Sequence, residues 1–158
     1  MLPVLGALVI LLGAVVPVAA QAPAGLEALV VRVVDGDTIH VRLNGRVEKV
    51  RYIGVNTPEL HHPTRGEEPG GRQAHAVNRR LVEGKRVRLD LDVQSRDRYG
   101  RLLAYVWTGD TMVNAELIRL GYAQAMTVPP NVRHQARFLK LQRDAREAGR
   151  GLWGLPAT

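Results

Sequence analysis

From Thr38 to Leu43 apolar and polar residues alternate, with Ile39, Val41 and Leu43 set against His40 and Arg42, the period-two pattern of a half-buried strand. The Val-rich run Ala28 to Val34 predicts a strand before it. Asn44-Gly45 predicts a tight hairpin after it, because both residues tolerate positive φ, and leads into a third strand over Val47 to Val55. Ala74, Val77 and Leu81 then recur at helical spacing up to Gly84. The runs Val87 to Val93 and Leu102 to Trp107 predict a fourth and a fifth strand, and Val113, Leu117 and Leu120 a short helix ending at Gly121. Pro129-Pro130 breaks the chain before a last helix with Asn131 as its expected cap. Its apolar stripe would be Phe138, Leu141, Ala145, Ala148 and Leu152. The expectation is a β-rich α+β domain, a small five-stranded barrel with three helices.

Length and composition sharpen this picture. At 158 residues, 46% hydrophobic and 23% charged, the chain holds one domain with a real core. Its formal charge of +7 suits a polyanionic partner, of which nucleic acid is the commonest, although a basic exterior also serves solubility. The absence of Cys excludes disulfides, thiolate catalysis and Cys-ligated zinc. Met1 to Ala22 carries no charged side chain and contains the apolar run Leu5 to Val16 followed by Pro17-Val18-Ala19-Ala20-Gln21-Ala22. Such a segment reads as a secretory signal peptide cleaved after small residues. With no Lys or Arg ahead of the run, an uncleaved N-terminal anchor is the alternative. The protein is therefore expected to be secreted or held in the cell envelope. Residues 23–27 form a linker, 28–154 the domain and 155–158 a tail.

Candidate chemistry concentrates where the strands end. Asp35-Gly36-Asp37-Thr38 and Val50-Arg51-Tyr52-Ile53-Gly54-Val55-Asn56-Thr57-Pro58-Glu59 place oxygen-bearing side chains at the ends of β-branched runs, with an Arg inside the second. Several oxygens on rigid positions suit a hard cation such as Ca²⁺, and a guanidinium suits an anion. A cation, a fixed Arg and a spare carboxylate are the parts needed to hydrolyse a phosphodiester. Taken singly, Asp-Gly is also an ordinary turn dipeptide and Thr-Pro-Glu an ordinary turn or helix opening. Arg96-Asp97-Arg98-Tyr99-Gly100-Arg101 is a donor-rich bend able to hold a phosphate, or else a charged hairpin end. His61-His62 lies in a loop of Pro and Gly and has no further ligand at ordered spacing, which weighs against zinc. Arg72, Arg79 and Arg80 read as the solvated face of the first helix.

In their order and spacing these blocks resemble the thermonuclease family, the staphylococcal-nuclease-like domains built on an OB-fold. The match runs from about Ala28 to Trp153 and includes Asp97 to Arg101, Met112-Val113-Asn114 and Gly151-Leu152-Trp153. The resemblance implies a Ca²⁺-dependent endonuclease acting on DNA and RNA, cutting at the 5′-oxygen and leaving 3′-phosphates. It implies Asp37 as a metal carboxylate, Thr57 as a carbonyl ligand, Glu59 as general base, Arg51 and Arg101 as phosphate-binding residues, and Tyr99, with Arg98 beside it, as a neighbour of the bound nucleotide. Trp153 looks structural. Two positions depart from the family pattern. Asn56 stands where a second metal carboxylate is expected, so metal choice is open, and Thr127 and Pro129 stand where some members carry tyrosines. No obligate protein partner is implied. A non-catalytic nucleic-acid-binding barrel is the competing expectation, favoured by Asn56 and opposed by Asp37, Arg51, Glu59 and Arg101.

Overall fold

The structure, a computed structural model, describes residues 24–156. The expected signal peptide or anchor, residues 1–22, lies outside the described residues. Among those described, no helix is long and apolar enough to cross a membrane.

The elements follow in the order β1 (Leu26–Asp35), β2 (Thr38–Leu43), β3 (Arg46–Tyr52), β4 (Val55–Asn56), α1 (Gly71–Val82), β5 (Arg86–Asp90), β6 (Leu102–Thr108), β7 (Thr111–Met112), α2 (Val113–Arg119), β8 (Gln124–Ala125), α3 (Gln135–Glu147) and a 3₁₀ turn (Gly151–Gly154). Antiparallel ladders join β3, β2, β1, β5 and β6 in that order. Parallel pairing of β3 with β6, Val50 opposite Leu102 and Arg51 opposite Leu103, closes the ring. The expected five-stranded OB-like barrel is thus present, and closure leaves its long strands no free edge. β1 serves two partners: Leu26 to Leu29 pair with β5, while Leu29 to Asp35 pair with β2 through two register shifts. The Asn44-Gly45 turn has φ of 49° and 78°, the double positive φ that its sequence signalled.

Alternation along the strands fills the barrel. Ile39, Val41, Val50, Tyr52, Leu89, Ala104 and Val106 are all buried, with α2 contributing Leu117 and Ile118 and α3 contributing Phe138. Two buried polar residues tie this core to the rim. Asn114 accepts a hydrogen bond from the Val106 N–H (2.8 Å) and donates to the Ile53 carbonyl (2.9 Å). Tyr52 donates its hydroxyl to Asn78 Oδ1 (2.8 Å), and Asn78 donates to the Asp35 carbonyl (2.9 Å), so α1 fixes the β1–β2 turn. Burial pushes the Tyr52 hydroxyl far above its ordinary pKa and keeps it a donor.

Three expectations are corrected. The third strand does not run to Val55: Gly54, at φ 74°, turns the chain, and Val55–Asn56 pairs with β8 instead. The fourth strand stops at Asp90, because Asp90 and Asp92 are drawn to Arg133 and Val93 stands exposed. Asn131 does not cap the last helix. Its amide forms a two-way bridge to the backbone of Gln94 (2.8 Å each way), α3 begins at Gln135, and Gly149, at φ 59°, separates it from the turn bearing Leu152.

Candidate active site

The β1–β2 turn carries Asp37, which is only 6% exposed. Its Oδ1 accepts the Thr38 hydroxyl and its Oδ2 the Thr57 N–H, both at 2.9 Å. The turn packs so closely on the Thr57 segment that a Cβ on Gly36 would lie 2.7 Å from Thr57 Oγ1. Gly36 is therefore needed for approach, and the two acidic and hydroxyl clusters seen in the sequence form one site.

Arg51, at the end of β3, is anchored from two sides. Its Nη1 donates to the carbonyls of Tyr52 (2.7 Å) and Val55 (2.8 Å), and these bonds hold the Gly54 turn. Its Nη2 lies 3.2 Å from Asp37 Oδ2 and 3.3 Å from Asn56 Oδ1. Two side-chain oxygens, one from the β1–β2 turn and one from β4, thus converge on one point. Among the described residues no hydrogen bond reaches the Thr57 carbonyl. An all-oxygen set of one carboxylate, one amide and one carbonyl fits a hard divalent cation whose remaining ligands are water. No group of three or more His or acidic residues that could hold a metal occurs among the described residues, so His61-His62 does not form one. His62 instead closes its own loop, pairing its backbone with Gly66 and accepting from Arg65.

Glu59 lies just beyond the Thr57-Pro58 turn. Its backbone is clamped on both sides, its N–H to Glu68 Oε2 and its carbonyl from the Glu68 N–H, each at 2.9 Å. Next to it the Leu60 N–H donates to Asp35 Oδ1 (3.1 Å). The Glu59 residue is exposed, and among the described residues its carboxylate has no hydrogen-bond or ion-pair partner. A fixed backbone with a free carboxylate is what proton transfer to solvent or substrate requires.

Arg101 comes from the bend before β6. Asp97 holds it: Oδ2 accepts Arg101 Nε (2.7 Å), while Oδ1 accepts the backbone N–H groups of Tyr99 and Arg101 (3.0 Å each). Burial raises the Asp97 pKa, but these hydrogen bonds and the Arg101 charge outweigh it and hold the carboxyl below the ordinary carboxylate value. Tyr99 is 69% exposed, with the guanidinium carbons of Arg98 and Arg101 at 4.8 Å and 5.6 Å from its ring centre. Arg98 also donates to the Tyr99 hydroxyl (2.6 Å).

Arg51, Asp97, Arg98, Tyr99 and Arg101 line one cleft of about 510 Å³, whose far wall is Met126, Val128 and Pro129. Asn56, Thr57 and Pro58 border a second, of about 460 Å³, facing Arg65, Tyr122 and Trp153. The segment from Arg51 to Pro58 is the divide between them. Asp97, Asn78 and Glu68, to which the sequence alone assigned no role, bond Arg101, the Asp35 carbonyl and the Glu59 N–H and so position the candidate residues. Only Asp97, inside the Arg-rich bend, offered a local signal. Trp153, which faces the second cleft, stacks with Arg146 (4.8 Å).

Residues 49–154 match the family model described as staphylococcal nuclease homologue. The chain is 41% identical over 124 residues to a thermonuclease of Staphylococcus hyicus, covering 78% of this chain and 73% of the relative. It is 40% identical over 129 residues to a thermonuclease of Staphylococcus intermedius, covering 82% and 77%. To an SPbeta prophage-derived endonuclease of Bacillus subtilis it is 38% identical over 124 residues, which is 77% of this chain and 42% of the relative. A family match over two thirds of the sequence, with the two thermonucleases aligned over most of both chains, establishes that the protein belongs to the staphylococcal nuclease homologue family.

Proposed function

We infer that the protein is a metal-dependent endonuclease that hydrolyses DNA or RNA at the 5′-oxygen of the phosphodiester and leaves 3′-phosphates, with Ca²⁺ as the expected ion. One observation carries the reading: the Arg51 guanidinium touches the converging oxygens of Asp37 and Asn56 while sharing a cleft with a second anchored guanidinium, Arg101. The family match and the relatives named thermonuclease and endonuclease support it.

In this reading Asp37, the Asn56 amide and the Thr57 carbonyl would hold the cation, which when bound supplies positive charge to a phosphate oxygen. Arg51 and Arg101 bind the phosphate. In-line attack accumulates negative charge on the equatorial oxygens, so two preorganised guanidiniums stabilise the transition state more than the substrate. Glu59 takes the proton of the attacking water. Tyr99, framed by Arg98 and Arg101, offers its exposed ring to the adjacent nucleotide.

A second reading, a binding module without catalysis, is favoured by Asn56, since a neutral amide weakens cation binding. The carboxylate of Glu59 has no use in such a module. Cleavage of single-stranded DNA, double-stranded DNA and RNA, assayed with Ca²⁺, Mg²⁺, Mn²⁺ and chelator in parallel, separates the two. Hydrolysis abolished by chelator supports the enzyme, and binding without cleavage under every ion overturns it. We further propose export through residues 1–22. A mature mass beginning near Gln21 or Pro23 supports this, and uncleaved protein confined to membranes contradicts cleavage.

A further inference from the structure

The outward face of β5, β1, β2 and β3 carries cations to which the site described above assigns no role. Arg32 stands opposite His40 in one ladder and His40 opposite Lys49 in the next, so the three form a row across the sheet. Directly opposed residues project to the same side with Cβ atoms about 5 Å apart. One row further on, Arg86 stands opposite Leu29, Leu29 opposite Arg42 and Arg42 opposite Val47. Arg32, Arg42, Lys49 and Arg86 are exposed, and among the described residues none of them forms an ion pair. Arg72, Arg79, Arg96, Arg119 and Arg133, in contrast, each hold a carboxylate. His40 feels the imbalance: burial and then the charges of Arg32 and Lys49 hold its pKa below the ordinary histidine value.

The direction of these rows matters. The preceding outward-facing pair in the β2–β3 ladder is Thr38 opposite Arg51. Residues two apart on a strand share a face, so Arg51 and Lys49 leave β3 on the same side, as Thr38, His40 and Arg42 leave β2. The cationic surface therefore begins at Arg51 and recedes from it by about 7 Å per row. We propose that this face is a track for the phosphate backbone of the nucleic-acid strand beyond the scissile phosphate, with Arg32, Lys49, Arg42 and Arg86 each facing the polyanion. The identity of that strand rests on the nuclease reading.

Charge complementarity selects the occupant. Unpaired guanidinium and ammonium groups on a rigid sheet suit an extended polyanion, whose binding releases condensed counterions. The two rows hold no Phe, Tyr or Trp and offer only Leu29 between Arg86 and Arg42 and Val47 at the row's end, so the face contacts backbone rather than stacking bases. A preference for long substrates with little dependence on sequence follows.

The test compares the triple variant Arg32→Thr, Arg42→Thr, Lys49→Thr with a charge-matched control, Arg80→Gln, Arg137→Gln, Arg143→Gln. Thr suits exposed strand positions, and matching melting temperatures establish that both variants are folded. Binding to a single-stranded oligonucleotide long enough to cross both rows is measured against salt in chelator. Cleavage of the same oligonucleotide and of a dinucleotide is measured with Ca²⁺. For the track variant the slope of log K against log salt should fall by about 2, at roughly 0.7 per lost phosphate contact, and should stay unchanged in the control. KM for the oligonucleotide should rise about tenfold or more while cleavage of the dinucleotide is kept. Equal slopes in the two variants overturn the track. So does loss of binding to phosphatidylglycerol vesicles in the track variant with the oligonucleotide slope intact, which would assign the face to lipid. Absence of cleavage by the unaltered protein would instead refute the nuclease reading, while the binding slopes still decide the track.

Discussion

Replacing Asp97 by Asn separates the holding of Arg101 from the shape of the bend that carries it. In the Asp97→Asn variant the amide oxygen would take over the role of Oδ1, which accepts the N–H groups of Tyr99 and Arg101 at 3.0 Å. The amide nitrogen, however, would face Arg101 Nε where Oδ2 now accepts at 2.7 Å, donor against donor. The bend survives and the guanidinium is released. A hydrogen bond to a charged group contributes about 1.5–3 kcal/mol, and the partial exposure of this pair, 30% for the Arg101 side chain and 17% for Asp97, puts the stability loss at about 1 kcal/mol. The catalytic loss should exceed it. Losing about 1.4 kcal/mol of transition-state stabilisation costs about tenfold in rate, and a freely rotating Arg also surrenders its alignment with the phosphate. Turnover at saturating oligonucleotide and urea unfolding of both proteins are the assays. Because the Asp97 pKa is lowered in the folded protein, its stabilisation is full above the unfolded value near 3.8 and is lost as pH falls through the lower folded value. The stability gap between the two proteins should therefore narrow only in acid. Unchanged turnover in a folded variant would show that Arg101 does not act from the position Asp97 gives it.

Three further outcomes are expected. Glu59→Gln should lose turnover on the order of 10²-fold or more while keeping oligonucleotide affinity, and its exposed, unpartnered carboxylate predicts a stability change within about 0.5 kcal/mol; near-normal turnover would falsify the base role. Asn56→Asp should bind Ca²⁺ about tenfold more tightly, read as the Ca²⁺ concentration for half-maximal cleavage, and Arg51, 3.3 Å from Asn56 Oδ1, should soften the repulsion with Asp37 in the metal-free protein. An unchanged Ca²⁺ midpoint would show that Asn56 does not face the ion. Gly36→Ala should destabilise by about 1–3 kcal/mol in urea unfolding, since its Cβ would meet Thr57 Oγ1 at 2.7 Å and Ala74 Cβ at 2.9 Å; a variant as stable as the parent would mean that the turn can retreat without cost.

The barrel was legible because its strands alternate where one side is buried. Ile39 and Val41 against His40 and Arg42 gave β2, and Asn44-Gly45 gave its hairpin. The parallel closure of β3 on β6 left no local mark, since the pairing of Val50 with Leu102 depends on residues far apart in sequence. Boundaries failed where a long-range polar contact competed with propensity. Val87 to Val93 reads as a strand until Arg133 draws Asp90 and Asp92 away, and Asn131 reads as a cap until Gln94 claims both ends of its amide. In the site, the chemistry-bearing residues stood out as motifs. The residues that aim them did not: Asn78 is buried in a helix and reaches Asp35 and Tyr52 from more than twenty positions away. Glu68 meets Glu59 only because the loop between them folds back.

The central claim, that water attacks phosphorus and the 5′-oxygen leaves, is tested most directly by cleaving a defined oligonucleotide in water enriched in oxygen-18, with Ca²⁺ present, and weighing the products. Glu59 as base and Arg51 and Arg101 as phosphate ligands predict one solvent oxygen in a new 3′-phosphate, paired with an unlabelled 5′-hydroxyl end. Solvent oxygen in a 5′-phosphate, or products with no solvent oxygen at all, would contradict it.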